Sequence, residues 1–313
     1  MEYRNLGNSG LKVSAVGLGC NNFGMRNNAE QTRAIVHRSI DEGVTLFDTA
    51  DIYGNRGGSE EMLGKALGER RRDVVVASKF GMAMGDGPYL RGGSRRYIAA
   101  AAEASLKRLG TDYIDLYQIH MPDPETPQNE TLEALNDLVH SGKVRYIGCS
   151  NFTAWQTVDA CWISRANDLA AYVSAQNQYN LLDRRIEREL IPACRQFGVG
   201  ILPYFPLASG FLTGKYRRGA EPPKGTRLSL IQRMAEQTLT DANFAILERL
   251  EKFARDRNHS LLELAIGWLA SQPQVSSVIA GATSPEQVSD NVKAGNWKLT
   301  SEELSEIDKL TRH

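Results

Sequence analysis

Cysteine is scarce and scattered in this chain of 313 residues: Cys20, Cys149, Cys161 and Cys194, with no Cys-x-x-Cys pair. Such spacing builds no disulfide framework and no paired-thiol metal site. The start, MEYRNLGNSG, has no apolar signal core, so the expectation is four free thiols in a reducing cytoplasm. An excess of charge is missing too. Lys plus Arg and Asp plus Glu both total 37 and the formal net charge is zero, which removes the main electrostatic argument for nucleic acid or an anionic membrane as partner. Apolar runs reach strand length only, far short of a membrane span. No Gly-x-Ser-x-Gly and no His-Glu-x-x-His occurs, and His37, His140, His259 and His313 fall in helical or terminal stretches. Neither a serine-hydrolase elbow nor a metal site is therefore expected.

What is present is a repeat of pattern. After a hairpin-like start (YRNL, GNSG, LKVS), short apolar or β-branched runs recur at 13–19, 44–48, 73–79, 113–120, 144–151, 172–178, 199–205 and 276–281. Between them lie amphipathic stretches such as EQTRAIVHRSIDEG, SRRYIAAAAEASLKRLG, RRIERELIPACRQFG and ANFAILERLEKFARDRN, several stopping at glycine,. Eight strands alternating with helices predict an α/β fold, a (β/α)8 TIM barrel, as one domain over residues 1–313. The competitor is a doubly wound sheet, suggested by VGLGCNNFG at 16–24. Asn22 stands there where a third Gly or Ala is needed, and the next helix starts only near Glu30,. The segment from Gly210 to Thr240 breaks the regular spacing and reads as a long loop. Its KYRRGAEPPKGTR holds five basic residues and one acid, which suits either a solvated surface or a lid over an anion.

In such a barrel the reacting groups come from the C-terminal ends of the strands. Read in order, those ends carry Asp48 with Tyr53 just beyond, Lys79, His120, Ser150 and Asn151, Gln176 and Tyr204. Asp51, between Asp48 and Tyr53, reads as a loop residue. A tyrosine is a weak acid near neutral pH, but an adjacent ammonium lowers its pKa, and a carboxylate can hold that ammonium. An imidazole can orient or polarise a carbonyl. This set protonates an alkoxide as it forms, which suits carbonyl reduction by hydride. No side chain supplies hydride, so a nicotinamide cofactor is implied.

At these residues the chain resembles the aldo-keto reductases over roughly residues 3 to 310. The matching stretches are GVTLFDTADIYG with SEEMLGKAL, SKFG, SLKRLGTDYIDLYQIHMPD, GKVRYIGCSN, AQNQYN, PLASGFLTGKY and IAGATSPEQVSDN. The resemblance implies a barrel closed at its base by the N-terminal hairpin, and reduction of aldehydes or ketones with NADP(H) in preference to NAD(H). It assigns Tyr53 as general acid, Lys79 as its pKa-lowering partner, Asp48 as the carboxylate paired with that lysine, and His120 as the carbonyl-orienting group. Ser150, Asn151 and Gln176 match the contacts to the nicotinamide carboxamide, and Tyr204 the aromatic stacked under the ring. Phe205, Pro206, Leu207, Ser209 and Gly210 match the stretch along the pyrophosphate. Lys215 and Arg227 match basic lid positions of the branch that includes the potassium-channel β-subunits. Gly281, Thr283, Gln287, Asp290 and Asn291 match that branch's adenosine pocket, while Cys20 and Asn21 would line the mouth near the cofactor.

Two positions depart from the wider family. Gly281 and Gln287 stand where the steroid and aldose reductase branch carries Lys and Arg, so NADP preference rests on Arg227 and Thr283. Phe205 replaces a small residue after the stacking aromatic, where it either turns away or crowds the ribose. Asn22, Phe23, Ile52, Phe80, Met82, Met84, Tyr89 and Met121 are expected around the substrate, a mixed apolar lining for a small-molecule carbonyl. Arg70, Arg71 and Arg72 read as a solvated helix end. A cofactor-binding regulatory or assembly subunit is the alternative function, and a lyase or isomerase of phosphorylated sugars on the same barrel is a third. The sequence sets no oligomeric state.

Overall fold

The computed structural model describes residues 1–311. Strands β1 (Tyr3–Asn5) and β2 (Lys12–Ser14) form an antiparallel hairpin. Eight more strands follow: β3 (Val16–Gly19), β4 (Leu46–Asp48), β5 (Val75–Phe80), β6 (Ile114–Ile119), β7 (Val144–Ser150), β8 (Tyr172–Gln176), β9 (Gly200–Ile201) and β10 (Val278–Gly281). They are parallel, in the order β10-β3-β4-β5-β6-β7-β8-β9. The ring closes between the outermost two: Ile201 N donates to Gln274 O (2.9 Å), Ser276 N to Ile201 O (3.0 Å) and Ile279 N to Pro203 O (3.1 Å). Consecutive order around a closed ring leaves no topological switch point. The fold is the (β/α)8 barrel.

Helices α1 (Ala29–Asp41), α2 (Tyr53–Leu67), α3 (Arg95–Leu109), α4 (Gln128–His140), α5 (Ala154–Ala166) and α6 (Leu190–Phe197) cover the first six crossovers. After β9 come α7 (Arg227–Leu230), α8 (Gln232–Thr238), α9 (Asp241–Arg255) and α10 (Leu261–Ala270), and after β10 come α11 (Pro285–Ala294) and α12 (Ser301–Leu310). Local chemistry sets their ends. Asn28 and Gln31 form a capping box at the start of α1, and α3 stops at Gly110 with φ 64°, the left-handed geometry glycine adopts without penalty. Two sequence expectations change. The stretch 184–198 is not one helix: a 3₁₀ turn at Arg185–Glu187 precedes α6. Arg184 is held there by Glu187 (2.8 Å) and Asp308 (2.7 Å). Nor is Gly210–Thr240 a loop throughout, since α7 and α8 occupy its second half.

The core has two layers. Leu46, Val75, Ala77, Leu116, Leu202 and Ile279 fill the barrel interior together with Leu6 and Val13 of the hairpin, all buried. A larger apolar layer lies between strands and helices. The hairpin seals the base, with Asn8 N donating to Gly198 O at 2.7 Å. Gly7 makes this approach possible: its φ is +55°, and a Cβ there would lie 2.4 Å from Gly198 O. Because side chains alternate along a strand, Val75 and Ala77 pointing inward bring Lys79 inward, Leu46 brings Asp48, and Leu116 brings Gln118 and then His120.

Candidate active site

The inward-facing strand ends meet at one mouth. Lys79 is wholly buried and donates to Asp48 Oδ2 at 2.7 Å and to the carbonyl of Thr49 at 2.8 Å. The other Asp48 oxygen accepts from Gln176 Nε2 at 2.8 Å. Both carboxylate oxygens are thus fixed, and the ammonium has one flank left, toward Tyr53. Its Nζ lies 4.9 Å from the centre of the Tyr53 ring. That ring meets His120 edge-on at 5.6 Å between centroids. Tyr53 opens α2, immediately before a turn in which Gly54, Asn55, Arg56 and Gly57 all have positive φ.

Burial governs the protonation of this group. It raises the Tyr53 phenol above its ordinary range; Lys79 pulls the other way and Asp48 adds to the rise. The expected lowering by Lys79 is present, but dense packing outweighs it. Burial also disfavours the Lys79 ammonium, but Asp48 and Tyr53 offset this and hold its pKa above the usual value. His120 is pushed down to about 3 by burial and by Lys79, so its imidazole is neutral at physiological pH. Its Nδ1 has no hydrogen-bond partner among the described residues. Cys20, beside Asp48, is held as a thiol by burial.

Around this centre runs a cavity of about 930 Å³. Asp48, Tyr53 and His120 line it, with Lys79 behind them. Every residue expected to contact a cofactor also lines it: Cys20, Asn21, Asp48, Ser150, Asn151, Gln176, Tyr204, Phe205, Pro206, Leu207, Ser209, Gly210, Lys215, Arg227, Gly281, Thr283, Gln287, Asp290 and Asn291. Asn151, at φ 62°, is already committed. It donates to His120 O and Ser150 Oγ (3.0 Å each) and accepts from the Tyr204 hydroxyl at 2.7 Å, so it braces the Tyr204 ring against β7. Phe205 stands edge-on to Tyr204 at 5.2 Å, and the Arg227 guanidinium lies 5.5 Å from the Phe205 ring centre. At the start of α11, Gln287 Oε1 accepts from Thr283 N at 2.9 Å.

Part of the cavity wall is cationic. Lys215 and Arg227 line it with Arg26 and Lys224, and among the described residues none of the four has an acid within 4 Å. Burial and like-charge neighbours lower the pKa values of Lys215 and Arg227. Two hydrogen bonds tie this region to the β3–α1 loop: Arg26 Nη2 to Gly225 O (2.6 Å) and Arg227 Nη2 to Asn22 Oδ1 (3.3 Å). A group of cations without acidic partners favours an anionic ligand.

Several substrate-lining expectations fail. Asn22, Met82 and Met121 line the cavity, but Phe23, Ile52, Phe80, Met84 and Tyr89 do not. Phe80 follows the inward Lys79 and so points outward, stacking on Tyr117 at 4.8 Å; Phe23 is fully buried in the outer layer. Tyr89 is 55% exposed and lies under Arg96. Asp51 does lie in the loop between β4 and α2, as expected, but it is not solvated. It is wholly buried, with Oδ1 unpartnered among the described residues, and burial with neighbouring Glu60 pushes its carboxyl up to about 7. Arg26 and Lys224 escaped the sequence reading; only the basic composition around Lys224 hinted at it. Nor is Arg71 merely solvated: it pairs with Asp115 at 2.7 Å.

Comparison with known proteins agrees with this geometry. The family model described as the aldo/keto reductase family matches residues 15–312. A protein from Oryza sativa named as a probable voltage-gated potassium channel subunit beta is 40% identical over 301 residues, covering 94% of this chain and 91% of that one. An L-glyceraldehyde 3-phosphate reductase of Escherichia coli is 37% identical, covering 98% and 92%. A versiconal hemiacetal acetate reductase of Aspergillus parasiticus is 36% identical, covering 98% and 96%. With the barrel, the site and these matches in agreement, the chain belongs to the aldo/keto reductase family of oxidoreductases.

Proposed function

We propose that the protein reduces aldehydes or ketones to alcohols with NADP(H), Tyr53 giving the proton. The observation that carries this reading is the buried Lys79–Asp48 pair aimed at Tyr53, with neutral His120 beside it in the same cavity.

A nicotinamide cofactor fits the residues present. The unpaired cations suit the phosphates, the braced Tyr204 face suits an aromatic ring, and Ser150 and Gln176 supply polar groups at the same end of the cavity. NADP(H) is favoured over NAD(H) because Arg227 and Thr283 stand near the adenosine end, with Arg26 and Lys224 adding positive charge. When bound, the cofactor supplies the hydride.

The chain's residues do the rest. As charge develops on the carbonyl oxygen, the Tyr53 hydroxyl donates its proton and Lys79 stabilises the phenolate left behind. Asp48 holds Lys79 charged and in place; Gln176 holds Asp48. His120 accepts or donates one hydrogen bond without adding charge, orienting the carbonyl beside Tyr53. Met82 and Met121 give the substrate end adaptable apolar walls,, suited to a carbonyl compound with apolar parts.

The test is NADPH oxidation with a generic aldehyde such as 4-nitrobenzaldehyde. Tyr53→Phe is expected to lower kcat by about 10²–10⁴-fold and leave NADPH affinity nearly unchanged. Equal turnover by the variant removes Tyr53 as the acid. Tight NADPH binding without turnover on a broad carbonyl panel would point instead to a cofactor-binding subunit.

A further inference from the structure

The turn that carries Tyr53 into α2 is strained. Gly54, Asn55, Arg56 and Gly57 have φ of 66°, 62°, 67° and 115°, and only two of them are glycine. A run of left-handed residues persists only where its surroundings over-determine it. From one side the support is backbone: a Cβ on Gly54 would lie 2.6 Å from Phe23 O. From beneath it is a side chain. Arg108, on α3, lays its stem against Gly57 so closely that a Cβ there would sit 2.4 Å from Arg108 Cδ.

Arg108 is fixed in turn. Its Nε donates to Glu60 Oε2 at 2.7 Å, and Nη2 donates to Ser105 Oγ at 3.2 Å. Glu60, on α2 and wholly buried, accepts from Ser78 with its second oxygen. Ser78 precedes Lys79 in β5. Asp51 donates its backbone N–H to Lys79 O at 3.1 Å and accepts at Oδ2 from the Tyr97 hydroxyl at 3.4 Å. Arg108 pairs with the buried Glu60 and is near enough to buried Asp51 to favour its charged form. It does not line the cavity. The stretch SLKRLG in which it lies supplies no group to the catalytic centre.

We infer that Arg108 and Glu60 are positioning residues for Tyr53, clamping the left-handed turn so that the phenol stays over Lys79. The pair acts at two points. The Arg108 stem supports Gly57 sterically, while the Arg108–Glu60–Ser78 chain ties the body of α2 to the strand that carries Lys79. Without the guanidinium, Glu60 and Asp51 become two buried carboxyls with no counter-charge, and the turn loses the surface it rests on.

The kinetic part of the test rests on the proposed reduction; the structural part does not. Arg108→Met keeps much of the stem and removes the charge, Arg108→Lys keeps a charge, and Gly57→Ala removes no charged group but places a methyl where the Arg108 stem lies. Each is measured for kcat and KM with an aldehyde and for NADPH affinity by fluorescence, and each is crystallised. Arg108→Met and Gly57→Ala are expected to lower kcat by about 100-fold, the scale of a displacement near 1 Å, with NADPH affinity unchanged. Arg108→Lys is expected to recover part of the loss, and the crystals to show residues 53–57 displaced from Lys79. Wild-type kcat with Tyr53 unmoved overturns the inference, as does a loss shared equally by NADPH binding. If Arg108→Met does not fold, Gly57→Ala and Arg108→Lys carry the same comparison. If the wild-type protein reduces no carbonyl, the proposed reaction fails, and the position of Tyr53 in the variant crystals decides this inference alone.

Discussion

At the scale of the residue, two buried groups have protonation that can be read from outside. His120 is held neutral down to about pH 3, so the pH profile of kcat/KM is expected to show no inflection from it between pH 5 and 8, and His120→Gln should leave the profile's shape unchanged over that range. Asp51 runs the other way. An acid whose folded pKa is raised to about 7 binds more protons folded than unfolded between pH 4 and 7, so its contribution to stability is present at low pH and lost as pH rises through 7. Asp51→Asn is therefore expected to gain Tm relative to wild type at pH 8 and to gain little at pH 4, checked by thermal melts across that range. A gain of equal size at both ends would remove Asp51 as the titrating group. Tyr53 also has a lesson at this scale. Lys79 beside it was legible from the strand ends, but the upward shift of the phenol was not, because burial depends on everything that packs around the site.

At the scale of the element, strand parity made most of the site legible. Asp48, Lys79, His120, Ser150 and Gln176 each end an apolar run, and alternation alone turns them inward once one interior residue of the strand is known. The same rule, applied to Phe80, would have kept it out of the substrate lining. What parity does not reach is a contact made by two loops far apart in sequence. Arg26 meets Gly225 across 199 positions, and nothing local to either marks the meeting. Helices α7 and α8 were hidden for a different reason: the Pro and Gly of AEPPKG just before them mask the apolar spacing of RLSLIQRM,. The loop ahead of α7 and the start of that helix supply much of the cationic part of the cavity wall. Lys215→Ala and Arg227→Ala are each expected to weaken NADPH binding by about 10–100-fold, the worth of a charge-assisted hydrogen bond, and to weaken NADH binding less in the case of Arg227. Fluorescence titration with both nucleotides checks this, and equal losses for the two would take Arg227 away from the 2′-phosphate.

At the scale of the whole molecule, the fold was legible because eight strand-length runs alternate with helical ones, and the competing doubly wound sheet lacks its glycine fingerprint at 16–24,. The plug at the base was legible only in outline. The sequence offers a hairpin, but that Leu6 and Val13 enter the same buried layer as Leu46 and Val75 is a fact of three-dimensional closure. Formal net charge is zero, yet cations without acidic partners gather on part of the cavity wall, so attraction for an anionic ligand is local and not a property of the molecule's mean field. NADPH affinity is accordingly expected to fall with added salt while the Tm stays nearly constant, a separation that titrations and melts in the same buffers would reveal.

The sealed base has one more consequence. A barrel stoppered at one end has a single doorway, and two reactants that share a doorway queue. Under the proposed reaction, cofactor and carbonyl both enter past Arg26, Lys215 and Lys224, which are exposed on the cavity wall together with Met82 and Met121. The hairpin, remote from the chemistry, thereby gives the two molecules one shared approach.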